Sequence, residues 1–208
     1  MVNPGVLVFD MDGVLVDVKA SYRECIIATV DRLTGKTVTH DQIQAYKNRG
    51  GFNNDWLLSQ QICADFGHAI PYADVVRVFN ELFFREYMKR EKWLPAEGLL
   101  ARWASRYPLY VFTGRLREEA MITLRNFQSE DLFTDVLGDD NVARSKPAPD
   151  GLLAIQARHP GVELLYLGDT VDDRDAARGA RVPFLGVGPH SGAENSIADI
   201  NELEALLT

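Results

Sequence analysis

Two carboxylates, Asp10 and Asp12, stand one residue apart directly after the apolar run VLVF at residues 6–9. Four apolar residues in succession are typical of a strand buried in a parallel sheet, where an unpaired carboxylate is costly. Either the strand ends at Asp10 and water solvates both acids, or a positive charge belongs between them. The DxDG pattern alone is weak evidence, so its meaning depends on what the fold brings beside it.

The rest of the chain indicates which elements position these acids. Apolar runs predict strands at 109–112, 136–137, 163–167 and 183–187, separated by helices near 97–106, 116–127, 150–158 and 172–180. Such alternation is typical of an α/β fold with a doubly wound, Rossmann-like parallel sheet. Residues 18–94 show helical patterns only. We therefore expect a core domain at 1–17 and 95–208, with an inserted all-helical cap domain at 18–94.

Local signals place the helices of the insertion. A helix that carries apolar residues at 22, 26, 30 and 33 should end at Gly35. Thr39 and Gln42 have capping-box spacing for a second helix, and a third should follow the Asn53-Asn54 pair. The apolar face from Val75 to Tyr87 predicts a fourth helix.

Chemically capable residues follow four of the five predicted core strands at their carboxyl ends, where such sheets bind ligands. The segment 10–13 follows the first strand and the segment 113–115 the second, Lys146 lies beyond the third, and the segment 169–173 follows the fourth. The sequence therefore predicts that these residues form one site.

Phosphoryl transfer suits this set of residues. Asp10 would attack phosphorus as a nucleophile, while Asp12 would protonate the leaving oxygen and then deprotonate the hydrolytic water. Oxygen ligands from Asp10, Asp12 (by its carbonyl), Asp169 and Asp173 would suit Mg²⁺. Asp172 lies in the first turn of a helix, where an acid is stabilising without any further role.

Three further residues are candidates for binding the phosphate. Lys146 would place a charge on the phosphoryl oxygens and pair with Asp10, although a lysine before Pro147 is otherwise an ordinary loop residue. Thr113 offers a hydroxyl and Gly114 a backbone N–H at a helix N-terminus. The plainer interpretation of Thr113 is a helix N-cap.

The segments DMDGVLVD, VFTGR, SKPAPD and GDTVDD, in this order, resemble the four signature motifs of the haloacid dehalogenase superfamily. The helical insertion resembles its subfamily with an α-helical cap, which includes phosphoglycolate phosphatase-like and β-phosphoglucomutase-like enzymes. The resemblance implies Asp10 as nucleophile, Asp12 as acid and base, and Thr113 and Lys146 as phosphate ligands. It also implies Asp169 and Asp173 as Mg²⁺-site acids, and an acid at position 12 implies phosphomonoester rather than dehalogenation chemistry.

By the same resemblance, an arginine in a cap loop grips a distal anionic group of the substrate. Arg49, in the segment YKNRGGFNNDW at 46–56, is the candidate for this specificity role. A cation at a helix C-terminus beside Gly50 and Gly51 is the alternative interpretation.

Composition limits the partners. The formal charge of −8 and a pI near 5.0 argue against a nucleic-acid partner. No Lys or Arg precedes the first apolar run and two acids interrupt it, so we expect neither a signal peptide nor a membrane span. Cys25 and Cys63 are far apart and outside any CxxC pattern, so we expect reduced thiols and a cytoplasmic protein.

The function expected from the sequence is Mg²⁺-dependent hydrolysis of a small phosphorylated metabolite through an aspartyl-phosphate. A phosphomutase would use the same intermediate and return the phosphoryl group to a sugar, so the motifs leave it open. A binding or regulatory protein on the same fold is a third alternative.

Overall fold

Two compact units make up the protein. The computed structural model describes residues 4–52 and 54–207, so Asn53 lies outside the described residues. One unit combines Met1–Val16 with Trp93–Thr208, and the other is the continuous segment Asp17–Lys92. The sequence expectation placed the corresponding limits at 18 and 94.

Eight strands form two sheets in the part of the chain that the structure describes. They are β1 (Val6–Phe9), β2 (Val16–Asp17), β3 (Lys92–Trp93), β4 (Leu109–Phe112), β5 (Asp135–Leu137), β6 (Leu164–Gly168), β7 (Phe184–Val187) and β8 (Ser196–Ile197). Six of them form a parallel sheet in the order β5-β4-β1-β6-β7-β8, whereas β2 and β3 form a separate two-stranded sheet. The parallel, doubly wound core is thus confirmed. The sequence did not predict the strands β2, β3 and β8, because a two-residue strand has no readable periodicity. Strand β3 lies within 18–94, so the expectation of helices alone in that range is wrong at its end.

The register of the parallel sheet brings three strand ends level with one another. Phe9 of β1 is aligned with Val111 of β4 on one side and Leu167 of β6 on the other. Asp10 continues the pairing, since its N–H donates to the Leu167 carbonyl at 2.8 Å. The residues that follow β1, β4 and β6 therefore begin at the same edge of the sheet.

The unit Asp17–Lys92 is helical. Its helices are α1 (Tyr22–Thr34), α2 (His40–Lys47), α3 (Asp55–Asp65) and α4 (Tyr72–Leu82). Gly35 ends α1 with a left-handed φ of 68°, Thr39 and Gln42 form the capping box of α2, and the Asn54 side chain caps α3. These three predictions are confirmed.

The expected fourth helix is divided. The α-helical part ends at Leu82 and continues as a π-helical turn at Phe83–Tyr87 and a 3₁₀ turn at Met88–Arg90. Phe83 is fully buried, and its ring centroid lies 4.2 Å from that of Tyr22. The apolar face was correctly predicted, but a hydrophobic pattern does not distinguish a π turn from an α turn.

Four further helices belong to the unit that contains the parallel sheet: α5 (Leu99–Ala104), α6 (Arg117–Asn126), α7 (Asp150–Arg158) and α8 (Val171–Ala180). Leu152 and Ile155 of α7 and Ala176 of α8 pack in one buried cluster with Phe112 and Tyr166 of the sheet. Complete burial of one large apolar side chain contributes about 1.5–3 kcal/mol, so this cluster makes the strand ends a rigid support. Within the described ranges, every helix is too short or too polar to cross a bilayer.

Candidate active site

The centre of the site is a buried ion pair between Asp10 and Lys146. Lys146 Nζ lies 2.8 Å from Asp10 Oδ1 and 2.6 Å from Asp173 Oδ1, and the side chains of all three residues are at most 6% exposed. The ammonium group also lies within 3.4 Å of the Phe112 carbonyl. Two carboxylates therefore hold this loop lysine in a buried position at the edge of the sheet.

Asp173 is held by protein donors on both carboxylate oxygens. Oδ1 accepts hydrogen bonds from Lys146 and from the Tyr166 hydroxyl, each at 2.6 Å. Oδ2 accepts from the backbone N–H of Thr170 at 3.0 Å and from its hydroxyl at 2.5 Å. The capping box of α8, formed by Thr170 and Asp173, therefore fixes this acid at the start of the helix.

Burial and charge act against each other in this group. Burial raises the pKa of Asp10, and the neighbouring Asp173 and Asp12 add to the effect, while Lys146 opposes it. Burial would also raise the pKa of Asp173, but Lys146 and the hydrogen bonds outweigh it and lower that pKa. For Lys146, burial is outweighed by both carboxylates, so its pKa is raised and it remains an ammonium.

Asp169 completes a group of three acids. Asp10, Asp169 and Asp173 each offer a carboxylate oxygen, and these atoms lie within 4.8 Å of one another. The four acids predicted for the metal site, set against the cations of Lys146 and Arg115, leave a formal charge of −2. Three carboxylates whose oxygens lie this close together fit a hard divalent cation.

Gly13 lets Asp169 approach the loop that follows β1. Its φ is +77°, which favours glycine, and a Cβ at this position would lie 2.2 Å from Asp169 Oδ2. The turn is closed by the Gly13 N–H, which donates to the Val16 carbonyl at 2.8 Å. The glycine of DxDG therefore provides both the turn and the space for the acid.

Asp12 is bound by an arginine. Arg115 Nε donates to Asp12 Oδ1 at 2.7 Å, and Nη2 of the same guanidinium lies 2.5 Å from that oxygen in an ion pair. The Arg115 side chain is 2% exposed, whereas that of Asp12 is 32% exposed. The second carboxylate of DxDG thus faces solvent on one side and a buried guanidinium on the other.

Thr113 and Gly114 lie at the end of β4. The Thr113 N–H donates to the Leu137 carbonyl at 2.9 Å, and its hydroxyl accepts from the Arg115 N–H at 3.2 Å. Helix α6 begins only at Arg117, so Gly114 lies in the preceding loop and not at a helix N-terminus. That detail of the expectation is wrong, because the chain needs two more residues to turn into the helix.

The comparison with protein families agrees with this arrangement of the four strand ends. The profile of the haloacid dehalogenase-like hydrolase family matches residues 7–187. The chain belongs to this family. The match includes all the residues of the site described above.

Known proteins similar to this haloacid dehalogenase-like hydrolase include an imidazoleglycerol-phosphate dehydratase of Phytophthora nicotianae, 35% identical over 87% of this chain. This chain spans only 42% of that protein's length. A phosphoglycolate phosphatase of Photobacterium profundum is 26% identical, over 87% of this chain and 82% of its own length. The fold is also that of a predicted phosphoglycolate phosphatase from Haemophilus somnus, with a TM-score of 0.81, 19% identity and 99% of each chain covered.

The cap residue predicted for specificity belongs to the helical unit of this haloacid dehalogenase-like hydrolase. Arg49 is exposed, and its guanidinium carbon lies 5.0 Å from the Tyr46 ring centroid. It follows α2, whose last residue is Lys47. Stacking on an aromatic ring orients the guanidinium and leaves its edge available to an anion.

Sequence reasoning assigned no role to three residues of the site in this member of the family. They are Tyr166, whose hydroxyl holds Asp173; Arg115, which holds Asp12; and Glu119, a buried acid on α6. One signal was available for Tyr166, because a tyrosine inside the buried run LLYL needs a partner for its hydroxyl. Arg115 and Glu119 gave no comparable signal, since an arginine and a glutamate near a helix start are usually exposed.

Proposed function

We propose that this protein is a Mg²⁺-dependent phosphomonoester hydrolase that works through an aspartyl-phosphate on Asp10. The observation that carries the proposal is the position of Asp10 at the rigid sheet edge, with Lys146 bound to Oδ1 and Asp12 two residues further on. This places a nucleophile, a cation for phosphoryl oxygens and an acid in one site.

The reaction would proceed in two halves. A carboxylate oxygen of Asp10 forms a bond to phosphorus while the bond from phosphorus to the ester oxygen breaks, and Asp12 gives its proton to that oxygen. Water then attacks phosphorus, Asp12 takes the proton from the water, and the bond to Asp10 breaks. Inorganic phosphate leaves, and both acids return to their starting states.

Lys146, Thr113 and Gly114 would bind the transferred phosphoryl group. Lys146 is already fixed by Asp10 and Asp173, so its charge needs no rearrangement when the substrate arrives. The Thr113 hydroxyl and the Gly114 N–H offer hydrogen bonds beside it. Arg49, in the helical unit, would select substrates that carry a second anionic or polar group.

Magnesium would be held by Asp10, by the carbonyl of Asp12 and by Asp169. Bound there, the ion would neutralise the negative charge of the carboxylates and of the phosphoryl group. We assign Asp173 a different part, because both of its oxygens accept hydrogen bonds from protein donors. Asp173 would fix Lys146 in place and would stabilise the metal site without binding the metal itself.

A panel of phosphate esters tests the proposal. Purified protein is incubated with 2-phosphoglycolate, glucose phosphates, imidazoleglycerol phosphate and 4-nitrophenyl phosphate, with Mg²⁺ or with EDTA, and released phosphate is measured. The first ester follows the name of the Photobacterium protein, the glucose phosphates test the mutase alternative, and imidazoleglycerol phosphate follows the name of the Phytophthora protein. We expect Mg²⁺-dependent release of one phosphate for each ester consumed.

Two variants sharpen the experiment. Asp10→Asn should abolish release from every ester, whereas Asp140→Asn, which changes an exposed acid, should not. Arg49→Ala should lower kcat/KM for the best natural ester and leave 4-nitrophenyl phosphate almost unchanged. Retained activity in Asp10→Asn would refute the nucleophile, and consumption of a sugar phosphate without released phosphate would indicate a mutase.

A further inference from the structure

Arg115 makes three directional contacts while almost fully buried. Nε donates to Asp12 Oδ1 at 2.7 Å, Nη2 lies 2.5 Å from the same oxygen as part of the ion pair, and Nη1 donates to the Thr123 hydroxyl at 2.8 Å. Thr123 is itself completely buried on α6. A planar guanidinium held at both ends cannot turn, so it fixes the carboxylate that it binds.

The backbone of Arg115 is also anchored. Its carbonyl accepts from the Asp139 N–H at 2.8 Å, and its N–H donates to the Thr113 hydroxyl at 3.2 Å. Gly138 allows this approach, since a Cβ there would lie 2.7 Å from the Arg115 carbonyl oxygen. The turn that offers Thr113 to a phosphate is therefore the same turn that holds Asp12.

From these contacts we propose that Arg115 is a positioning residue for proton transfer: it immobilises Oδ1 of Asp12 so that Oδ2 exchanges the proton in both halves of the reaction. This inference rests on the proposed function. Proton transfer needs one oxygen in one place, first to protonate the leaving oxygen and then to accept the proton of water. Without the guanidinium, the partly exposed carboxylate would be free to rotate and to interchange its two oxygens.

Leaving-group dependence separates this role from a merely structural one. An activated aryl phosphate, such as 2,4-dinitrophenyl phosphate, expels a stable anion and needs no proton, whereas an alkyl phosphate needs one. In Arg115→Met, we expect the first-turnover release of dinitrophenolate to stay within about threefold of the unsubstituted protein. Single-turnover cleavage of an alkyl phosphate should fall by about 30-fold or more, since general acid catalysis contributes roughly 10²–10⁴-fold.

The second half of the reaction gives an independent readout. Because water attack also uses Asp12, Arg115→Met should show a burst of dinitrophenolate followed by a slow steady state. Arg115→Lys keeps the charge but cannot reach both Asp12 and Thr123 in the same geometry, so it should restore only part of the alkyl phosphate rate. Thr123→Val removes only the hydroxyl that holds Nη1. It should lower the rate of alkyl phosphate cleavage and the steady-state rate by a smaller factor than Arg115→Met does.

Arg158→Met is the matched control, because it also removes a guanidinium from an aspartate, at a half-exposed pair with Asp135. It should leave the leaving-group dependence unchanged. Equal losses for aryl and alkyl phosphates in the Arg115 variants and in Thr123→Val would overturn the positioning role while leaving the proposed function intact. If Arg115→Met does not fold, Thr123→Val and Arg115→Lys decide the question by the same comparison. Absence of any phosphate release by the unsubstituted protein would instead overturn the proposed function itself.

Discussion

Lys146 Nζ lies 2.8 Å from Asp10 Oδ1, although the two residues are 136 positions apart in the chain. The contact joins the loop before α7 to the end of the central strand, at a place where neither charge reaches water. It also means that the candidate nucleophile is paired with a cation before any substrate is present. Removal of either partner from such a buried pair strongly lowers the stability of the fold, because the other partner is left as an uncompensated buried charge.

Replacement of Lys146 by methionine should therefore reduce stability as well as activity. The change leaves Asp10 and Asp173 buried without their cation, which costs about 3–5 kcal/mol in the free energy of unfolding. Urea denaturation at pH 8 in EDTA measures the loss, which should be smaller at pH 5, where a proton on Asp10 removes one of the two charges. Arg144→Met breaks an exposed pair with Asp150 and should change the unfolding midpoint far less. Equal midpoints for the two variants would contradict the prediction.

Asp169 and Asp173 should respond differently to substitution. Asp169→Asn should abolish Mg²⁺ binding measured by titration calorimetry, because it removes a direct ligand of the proposed site. Asp173→Asn should still bind Mg²⁺ but lower kcat and thermal stability, because Lys146 and Tyr166 lose the carboxylate between them. The reverse pattern, with binding lost only in Asp173→Asn, would make Asp173 the ligand.

The buried carboxyl of Glu119 should make the free energy of unfolding depend on pH. Burial raises the pKa of this carboxyl to about 7, against the opposing effects of the Leu116 N–H and Arg115. Since its pKa is about 4.5 in the unfolded chain, the folded state binds the proton more tightly. Stability from this group is therefore complete below pH 4.5 and is lost as the pH rises through 7.

Glu119→Gln imitates the protonated acid and should remove this dependence. Relative to the unsubstituted protein, the variant should be more stable at pH 8 by an amount on the order of 3 kcal/mol and nearly equal at pH 4. Urea denaturation at both values measures the difference. Glu118→Gln, on the same helix but exposed and paired with Arg125, should show no such change between the two pH values. A constant difference between Glu119→Gln and the unsubstituted protein would show that the acid is ionised throughout.

Much of the core could be predicted because its elements carry local signals. The apolar runs located β1 and β4 without error, and the caps at Gly35, Thr39 and Asn54 located helices in the other unit. The rule that ligands bind at the carboxyl ends of parallel strands then placed the motif residues at one edge.

The interactions among those residues could not be predicted in the same way. Whether an oxygen of Asp173 is available to a metal depends on which oxygens accept hydrogen bonds from the Tyr166 and Thr170 hydroxyls, and only the folded structure determines these contacts. Arg115 differs from a surface arginine only because Thr123 and Asp12 come together in three dimensions. Sequence spacing carries no information on contacts of that kind.

The central place of β1 has a consequence for how the protein is made. Leu7 is paired with Leu109 on one side and with Leu165 on the other, so β1 gains its first partner only after the whole segment Asp17–Lys92 has been synthesised, and its second partner later still. In the interval, the apolar segment VLVF has two open edges, and its pairings are all of long sequence separation, which slows folding and favours aggregation. The intervening segment Asp17–Lys92 is continuous in the sequence and helical, so its own contacts are more local. The four residues that position Asp10 in the site are accordingly also a segment at which an incompletely synthesised chain is prone to aggregate.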